Sequence, residues 1–313
     1  MTEAVAGIDI GGTKIAIALE SIGGERINGR QFPTRAELGP EAILSNIASV
    51  LGEMCAEARA KLAAVGLGCP GSVDRERGTV LLPINLPGWH EFPIVRTVEE
   101  LLGVPAAIEN DAKLAALGEY ADGAGRGFKD IVYLTISTGI GGGIIVNGRL
   151  LQRLGAGEVG HMTVLPDGPP CGCGSRGCLD ALCSGTAVAR RTRELLTQGA
   201  RSLIAEMVKP DEITAQVVAE AVRSGDELAR RVWDEMTHFL SIGIANVVTI
   251  LAPEAVILGG GVAATGELLL GPLRPLVEQR ATMIPAGRVR ILQAALAGES
   301  GIHGALVLAR RMK

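Results

Sequence analysis

Residues 4–19 read AVAGIDIGGTKIAIAL, which is an apolar run, a glycine-rich turn and a second apolar run. Two apolar runs joined by a short turn with Gly-Gly predict a β-hairpin. Residues 131–146 read IVYLTISTGIGGGIIV and repeat this pattern. With an offset of 128 positions the two segments align at three pairs, Ile8 with Ile136, Asp9 with Ser137 and Gly11 with Gly139. The chain is therefore predicted to contain two related halves.

The rest of the chain alternates between strand and helix patterns. Short apolar runs that end near glycine or proline predict strands at Ala63–Leu67, Pro105–Ile108 and Ala255–Leu258. Helical spacing of apolar residues predicts helices at Glu41–Leu62, Ala112–Tyr120, Thr186–Gln198, Thr214–Ser224, Glu227–Ala252 and Ser300–Met312. Because each hairpin leads a mixed unit of strands and helices, we predict an α/β protein whose two halves face a cleft.

The composition is that of a globular chain with two domains. A length of 313 residues exceeds the usual size of one domain, and 47% hydrophobic residues can supply two cores. A net charge of -4 without a basic tail argues against nucleic acid as a partner. The most apolar stretch, 242–258, is interrupted by Asn246, Pro253 and Glu254, so no membrane span is predicted. Acidic residues at the first apolar run do not fit a signal peptide, and we expect a cytoplasmic protein.

The first hairpin turn carries groups that suit a phosphate. Gly11 and Gly12 allow backbone N–H groups to approach phosphate oxygens closely, while Thr13 adds a hydroxyl and Lys14 a positive charge. Asp9 stands where a carboxylate could hold Mg²⁺, directly or through water. The alternative for this segment alone is a plain hairpin with a Gly-Gly turn.

Two further glycine-rich segments extend this prediction. The second hairpin offers Thr138 and Gly139 at its turn, so two facing turns could hold a triphosphate from both sides. After the strand at 255–258, Gly259, Gly260 and Gly261 would let a flat base lie against the backbone, although a plain strand-to-helix turn explains them as well. A Walker A sequence is absent, and the G-x-G-x-x-G matches do not open a helix after a strand.

Four residues have the spacing of a closed metal site. His161 precedes Cys171, Cys173 and Cys178 at steps of 10, 2 and 5. Three thiolates and one imidazole complete a tetrahedral site of the structural zinc type. Without an export signal these cysteines are read as metal ligands rather than as disulfides, and the alternative is a set of buried free cysteines.

Taken together, these segments resemble the ROK family (repressors, open reading frames, kinases), within the actin-like sugar-kinase superfamily. The segments that carry the resemblance are DIGGTK at 9–14, GCPGSVD at 68–74, NLPGW at 85–89, ENDA at 109–112, TGIGGGIIVNGRLLQRLGAGEVGH at 138–161, CGCGSRGC at 171–178 and LGGGV at 258–262. The resemblance implies two actin-like (ribonuclease H-like) domains around a central cleft. We expect a small domain over 1–110 joined by the final helix at 300–313, and a large domain over 111–299 with a zinc knuckle at 161–178.

The resemblance also implies the roles of individual residues. Asp111 is expected to act as the general base, although Asn and Asp at a strand-to-helix junction also serve as N-caps. The expected sugar ligands are Gly71, Asn85, Asn110, Asp111, Glu158, His161 and Asp180. Asn85 could instead be a turn residue, and Glu158 a solvated loop charge. The family usually has Glu where this chain has Asp180, one methylene shorter.

The function that the resemblance implies is phosphorylation of a hexose at its 6-hydroxyl by ATP with Mg²⁺, with glucose as the leading substrate. N-acetylglucosamine, N-acetylmannosamine, mannose, fructose and allose remain alternatives, as does polyphosphate as the phosphoryl donor. A sugar-responsive transcription regulator is a further alternative, which we disfavour because the first strand begins by Ala4 with no helix-turn-helix before it. A homodimer or homotetramer is expected.

Overall fold

The computed structural model describes residues 1–83 and 86–313, so the predicted sugar ligand Asn85 lies outside the described residues. The first part of the chain contains strands β1 (Thr2–Ile10), β2 (Lys14–Ser21), β3 (Arg26–Pro33), β4 (Ala60–Cys69), β5 (Ser72–Asp74), β6 (Thr79–Leu82) and β7 (Ala106–Asn110), and helices α1 (Gly39–Glu57), α2 (Ile94–Leu102) and α3 (Asp111–Asp122). The second part contains strands β8 (Ile131–Ile136), β9 (Ile140–Val146), β10 (Arg149–Leu150), β11 (Ala255–Gly259) and β12 (Arg290–Gln293). Its helices are α4 (Leu179–Cys183), α5 (Gly185–Thr197), α6 (Ile204–Met207), α7 (Ala215–Arg223), α8 (Glu227–Leu251), α9 (Gly260–Ala263), α10 (Glu267–Arg280) and α11 (Ser300–Arg310).

Two five-stranded sheets share one topology. The first sheet has the order β3-β2-β1-β4-β7 and the second the order β10-β9-β8-β11-β12. In each sheet three antiparallel strands are followed by two strands that run parallel to the last of them. This arrangement confirms the predicted α/β fold with two related domains.

The structure corrects the alignment of the two hairpins. Ile10 and Ile136 are the last residues of β1 and β8, so the strand ends differ by 136 − 10 = 126 positions rather than 128. The pairing of Ile10 with Ile15 leaves four residues in the first turn, whereas the pairing of Ile136 with Ile140 leaves three in the second. A shift of two residues keeps the same face of the strand, which is why the apolar pattern alone did not reveal it.

Helices α3 and α11 form the contact between the two sheets. Helix α11 packs on β1 and β4, and α3 packs on β8 and β9. The two helices approach so closely that a Cβ on Gly304 would overlap the carbonyl oxygen of Leu114. The predicted bounds of the small domain, residues 1–110 together with the helix at 300–313, stay a prediction.

The predicted helix over Glu41–Leu62 is wrong at its C-terminal end. Helix α1 ends at Glu57, and Arg59 adopts a left-handed conformation with φ 49°. Residues 60–62 instead begin β4 and pair in parallel with Thr2–Ala4 of β1. Pairing within the sheet therefore overrides the helical preference of the alanine-rich stretch. Strand β3, helix α2 and helix α10 were not predicted at all.

The described residues form five buried apolar clusters: a large one and a smaller one against each sheet, and one between α3 and α11. Among residues 1–83 and 86–313, no helix is both long enough and apolar enough to cross a bilayer.

Candidate active site

The first hairpin turn is held by backbone contacts and presents its polar side chains to solvent. The Gly11 N–H donates to the carbonyl oxygen of Lys14 at 2.9 Å. The hydroxyl of Thr34, at the end of β3, donates to the carbonyl oxygen of Gly11 at 2.6 Å. Gly11 and Gly12 are partly exposed, and Thr13 and Lys14 are exposed. The turn can therefore offer backbone donors, a hydroxyl and an ammonium group to an anion.

The second turn is braced by the helices that follow the cysteine cluster. Ser137 N–H donates to Gly139 O at 2.9 Å, and Gly185 N–H at the start of α5 donates to Ser137 O at 2.7 Å. The Thr186 hydroxyl donates to Thr138 O at 2.8 Å. Thr138 and Gly139 remain exposed, so this turn is also open to a ligand.

A cavity of about 340 Å³ adjoins this second turn. Its lining includes Thr138, Thr186, Arg193, Gln216 and Val262. A space of this size with hydroxyl, amide and guanidinium groups suits the base and ribose of a nucleotide.

The three glycines at 259–261 differ in the structural feature that requires glycine. Gly260, with φ 85°, and Gly261 open helix α9 and are partly exposed beside the cavity. Gly259 is buried at the end of β11, where a Cβ would overlap the hydroxyl of Tyr133. The missing side chain of Gly259 thus makes room for Tyr133, and contact of the three glycines with a base stays a prediction.

Asp111 begins helix α3 at the base of the cleft. Asn110 is the N-cap of this helix, since its side-chain oxygen accepts from the N–H groups of Ala112 and Lys113 at 3.0 and 3.1 Å. Its amide nitrogen also donates to Gly71 O at 3.0 Å. The N-cap of α3 is therefore Asn110 and not Asp111. The half-buried Asp111 carboxylate accepts a hydrogen bond from Ala112 N–H at 2.8 Å.

Burial and neighbouring carboxylates make Asp111 a stronger base than an ordinary aspartate. Loss of hydration, with the negative charges of Asp9 and then Glu158 added to it, raises the pKa of Asp111 from 3.8 to about 6. Burial likewise raises the pKa of Asp9, against the positive charge of Lys14. Asp9, Asp111 and Glu158 therefore face a common region of the cleft.

The predicted metal ligands converge. The ligand atoms of His161, Cys171, Cys173 and Cys178 all lie within 4.8 Å of one another. His161 Nδ1 is 3.7 Å from Cys171 Sγ, and Cys173 Sγ is 3.7 Å from Cys178 Sγ. The three cysteines form no disulfide, and the set of three sulfurs and one nitrogen fits a tetrahedrally coordinated ion such as zinc.

Asp180 links the end of this cluster to the second turn. It lies in the first turn of α4, directly after Cys178 and Leu179, and its Oδ1 accepts from Ile140 N–H at 2.6 Å. A Cβ on Gly139 would lie 3.0 Å from the same oxygen. The predicted sugar ligand therefore has a partner in the hairpin turn as well.

Known proteins match this chain over nearly its whole length. A model of the ROK family matches residues 5–312. The chain belongs to the ROK family. A glucokinase from Thermotoga maritima is 38% identical over 302 residues, covering 96% of this chain and 95% of that protein. The crystal structure of a ROK hexokinase from Thermus thermophilus matches with a TM-score of 0.87 at 36% identity, over 99% of this chain and 98% of that one.

Other ROK relatives differ in what they bind. A ROK glucokinase from Streptomyces griseus, solved in complex with glucose and AMPPNP, matches with a TM-score of 0.82 at 36% identity, over 98% of this chain and 99% of that one. An N-acetylmannosamine kinase from Escherichia fergusonii is 35% identical over 98% of both chains. A xylose repressor from Caldicellulosiruptor bescii is 30% identical over 97% of this chain and 77% of its own length.

Several residues of this ROK site were not predicted from the sequence. Thr34 and Thr186 hold the two turns from distant elements, and Lys113 is buried in α3 with its Nζ 3.2 Å from Arg153 O, in the segment that leads to Glu158. Since each contact joins residues far apart in the chain, no local pattern marks them. Arg193 and Gln216, which line the cavity beside the second turn, were not predicted for the same reason.

The pKa of Asp111 can be tested without any assay of function. Asp111 should titrate near pH 6, and Asp9→Asn should lower that pKa because it removes one negative charge. The pKa should stay above 3.8, since desolvation is the larger cause. Carboxyl ¹³C NMR of aspartate-labelled protein, assigned with Asp111→Asn, measures both values. An Asp111 resonance that titrates near 3.8 in the unmodified protein would contradict this electrostatic picture.

Proposed function

We propose that this chain is a sugar kinase that transfers the terminal phosphoryl group of ATP to the 6-hydroxyl of a hexose, with glucose as the preferred substrate. The observation that carries this proposal is Asp111. Its half-buried carboxylate has a pKa raised to about 6 and lies in a cleft between two open glycine turns. Glucokinases and hexokinases among the relatives support the same reaction.

The two turns supply the phosphate contacts in this proposal. Gly11, Gly12, Thr13 and Lys14 bind from one side, and Thr138 with Gly139 from the other. The cavity beside Gly260 and Gly261 takes the base and ribose. Asp9 is the carboxylate suited to Mg²⁺, which when bound neutralises charge on the phosphates. Polyphosphate, a linear anion without a base, is the alternative donor.

Asp111 performs the proton transfer. The sugar 6-hydroxyl donates its hydrogen bond to the Asp111 carboxylate, which accepts the proton as the new oxygen–phosphorus bond forms and the bond to ADP breaks. Asn110 holds this base in place by capping α3 and by contacting Gly71 O. A base with a pKa near 6 is ionised at neutral pH and becomes protonated as the pH falls below 6, so turnover should decline there.

Sugar recognition falls to residues around this base. Glu158 is close enough to affect the pKa of Asp111, and His161 follows it after one helical turn. Together with Gly71, Asn85, Asn110 and Asp180 they provide donors and acceptors for a ring with hydroxyls on every side. Other hexoses and N-acetylhexosamines are the alternative substrates. The N-acetylmannosamine kinase among the relatives supports the second of these classes. A cytoplasmic homodimer or homotetramer completes the proposal.

Replacement of Asp111 tests the reaction. Asp111→Asn keeps the shape of the side chain but removes the base, so kcat for glucose should fall by about 10²-fold or more. Asp234→Asn, on the exposed face of α8, is the matched control and should leave kcat unchanged. A coupled assay with a panel of hexoses, and with ATP or polyphosphate as donor, gives the substrate. Near-normal turnover of Asp111→Asn, or no phosphorylation of any hexose, would count against the proposal.

We propose further that the His161 cluster holds one structural zinc ion per chain. Three thiolates and an imidazole leave no position open for water, so such an ion stabilises the segment rather than taking part in the reaction.

Removal of one ligand tests this site. Cys173 is exposed, so Cys173→Ser should not disturb a core, yet it should lose zinc and lower the unfolding temperature. Cys55→Ser on α1 is the control and should keep one zinc per chain. Elemental analysis of the purified proteins measures the content. A metal-free wild-type protein of equal stability would exclude the site.

The side chain at 180 is proposed to tune sugar affinity. Asp180 bonds Ile140 N–H and, being shorter than the family's Glu, reaches a sugar hydroxyl only through water. Asp180→Glu should restore a direct charge-assisted bond and lower KM for glucose by up to about tenfold. Steady-state kinetics should show KM for ATP unchanged. If KM for every hexose stays constant while KM for ATP rises, Asp180 serves only the hairpin turn.

A further inference from the structure

The carboxylate of Asp9 lies between two glycines that belong to different elements. A Cβ built on Gly301, in the first turn of α11, would be 2.7 Å from Asp9 Oδ2 and 3.2 Å from Asp9 Cγ. A Cβ built on Gly68, near the end of β4, would be 2.9 Å from Leu114 Cδ1 and 3.2 Å from Asp9 Oδ1. Oδ2 therefore occupies the space that a side chain at 301 would need, Oδ1 lies in tight contact with the position of a side chain at 68, and the carboxylate lies in a narrow slot.

Gly301 has no other structural reason to be glycine. It lies inside a helix rather than in the left-handed region, and alanine is the more favourable residue in a helix. The three nearest heavy atoms to its missing Cβ all belong to Asp9. By contrast, Gly304 of the same helix is explained by the carbonyl of Leu114. The glycine at 301 is thus explained by the carboxylate it faces.

Helix α11 cannot easily move away from Asp9. Glu119 of α3 is fully buried and its two oxygens accept from Ser300 Oγ at 2.7 Å, Leu296 N–H at 2.9 Å and Ala295 N–H at 3.0 Å. These bonds fix the residues immediately before Gly301. Because the helix start is fixed on one side and β4 is part of a sheet on the other, an added methyl group would displace the Asp9 carboxylate instead.

We propose that Gly301 is a positioning residue that, with Gly68, sets the orientation of the Asp9 carboxylate toward the nucleotide's magnesium. The inference rests on the proposed function, in which Asp9 is the residue suited to Mg²⁺. Gly301 touches neither sugar nor nucleotide in this account, and acts only through Asp9. A carboxylate with little freedom loses little entropy when it engages a cation, so the slot favours binding of the magnesium–nucleotide complex.

The test is Gly301→Ala, with Gly52→Ala as the matched control. Gly52 is an exposed glycine of α1 with no atom within 4 Å of its missing Cβ. Isothermal titration with Mg²⁺ and AMPPNP should show about tenfold weaker binding for Gly301→Ala and no change for Gly52→Ala. Affinity for glucose alone should be unchanged in both, since the sugar does not contact Asp9.

A double-mutant cycle with Asp9→Ala separates positioning from general damage. In the Asp9→Ala background the methyl group meets no carboxylate, so Gly301→Ala should raise the unfolding temperature there, as Gly52→Ala should in the wild type, and should not weaken nucleotide binding further. In the wild-type background the rise should be smaller or reversed. This comparison holds even if Gly301→Ala is unstable by itself.

Two results would overturn the inference. One is a Gly301→Ala protein that binds Mg²⁺ and AMPPNP like the wild type. The other is an equal change of unfolding temperature with and without Asp9. If Asp9→Ala alone leaves nucleotide binding intact, the role of Asp9 in the proposed function fails too, and kinase activity of that variant then shows whether the reaction itself stands.

Discussion

The close crossing of α3 and α11 constrains both halves of this protein. The carbonyl of Leu114 occupies the space that a side chain at Gly304 would need. The carbonyl of Ser300 occupies the corresponding space at Gly118. One helix packs on the first sheet and the other on the second. Asp111 begins α3 and Gly301 lies in the first turn of α11. The crossing therefore sets where Asp111 lies relative to the residues around Asp9.

Glu119 adds a polar bond to this apolar crossing. A fully buried carboxylate is unfavourable unless donors surround it, and Glu119 accepts from three backbone N–H groups and one hydroxyl. These donors come from the end of α3, the segment after β12 and the start of α11. The segment that leads from β12 into α11 is thereby hydrogen-bonded to α3.

The cleft concentrates negative charge where little water remains. Asp9, Asp111 and Glu158 repel one another, and burial raises the pKa of the first two. Lys14 is the cation that opposes this effect at Asp9. A raised pKa makes Asp111 a better proton acceptor, and the neighbouring carboxylates suit a cation, so the site suits a reaction that needs both a metal-binding carboxylate and a proton acceptor.

Much of the fold and of the site follows from local sequence. The hairpins at 4–19 and 131–146 are encoded by apolar runs around glycine turns, and the spacing of His161 with three cysteines predicts their convergence, which the structure confirms. The junction at Asn110 and Asp111 was located, but which residue caps the helix was decided by the geometry of the chain there.

What only the tertiary structure decided depends on contacts between distant segments. Residues 60–62 became a strand because β1 lies beside them, although their composition favours a helix. A side chain at Gly259 would overlap Tyr133, and a side chain at Gly301 would overlap Asp9. Neither contact can be read from the neighbouring sequence. The sequence by itself determined the two hairpins, most of the long helices and the four residues of the His161 cluster, because those follow from apolar periodicity, turn glycines and residue spacing within single segments of the chain. Packing decided that Gly301 faces the carboxylate of Asp9, because β1 and α11 are far apart in the sequence and come together only when α3 and α11 pack between the two sheets.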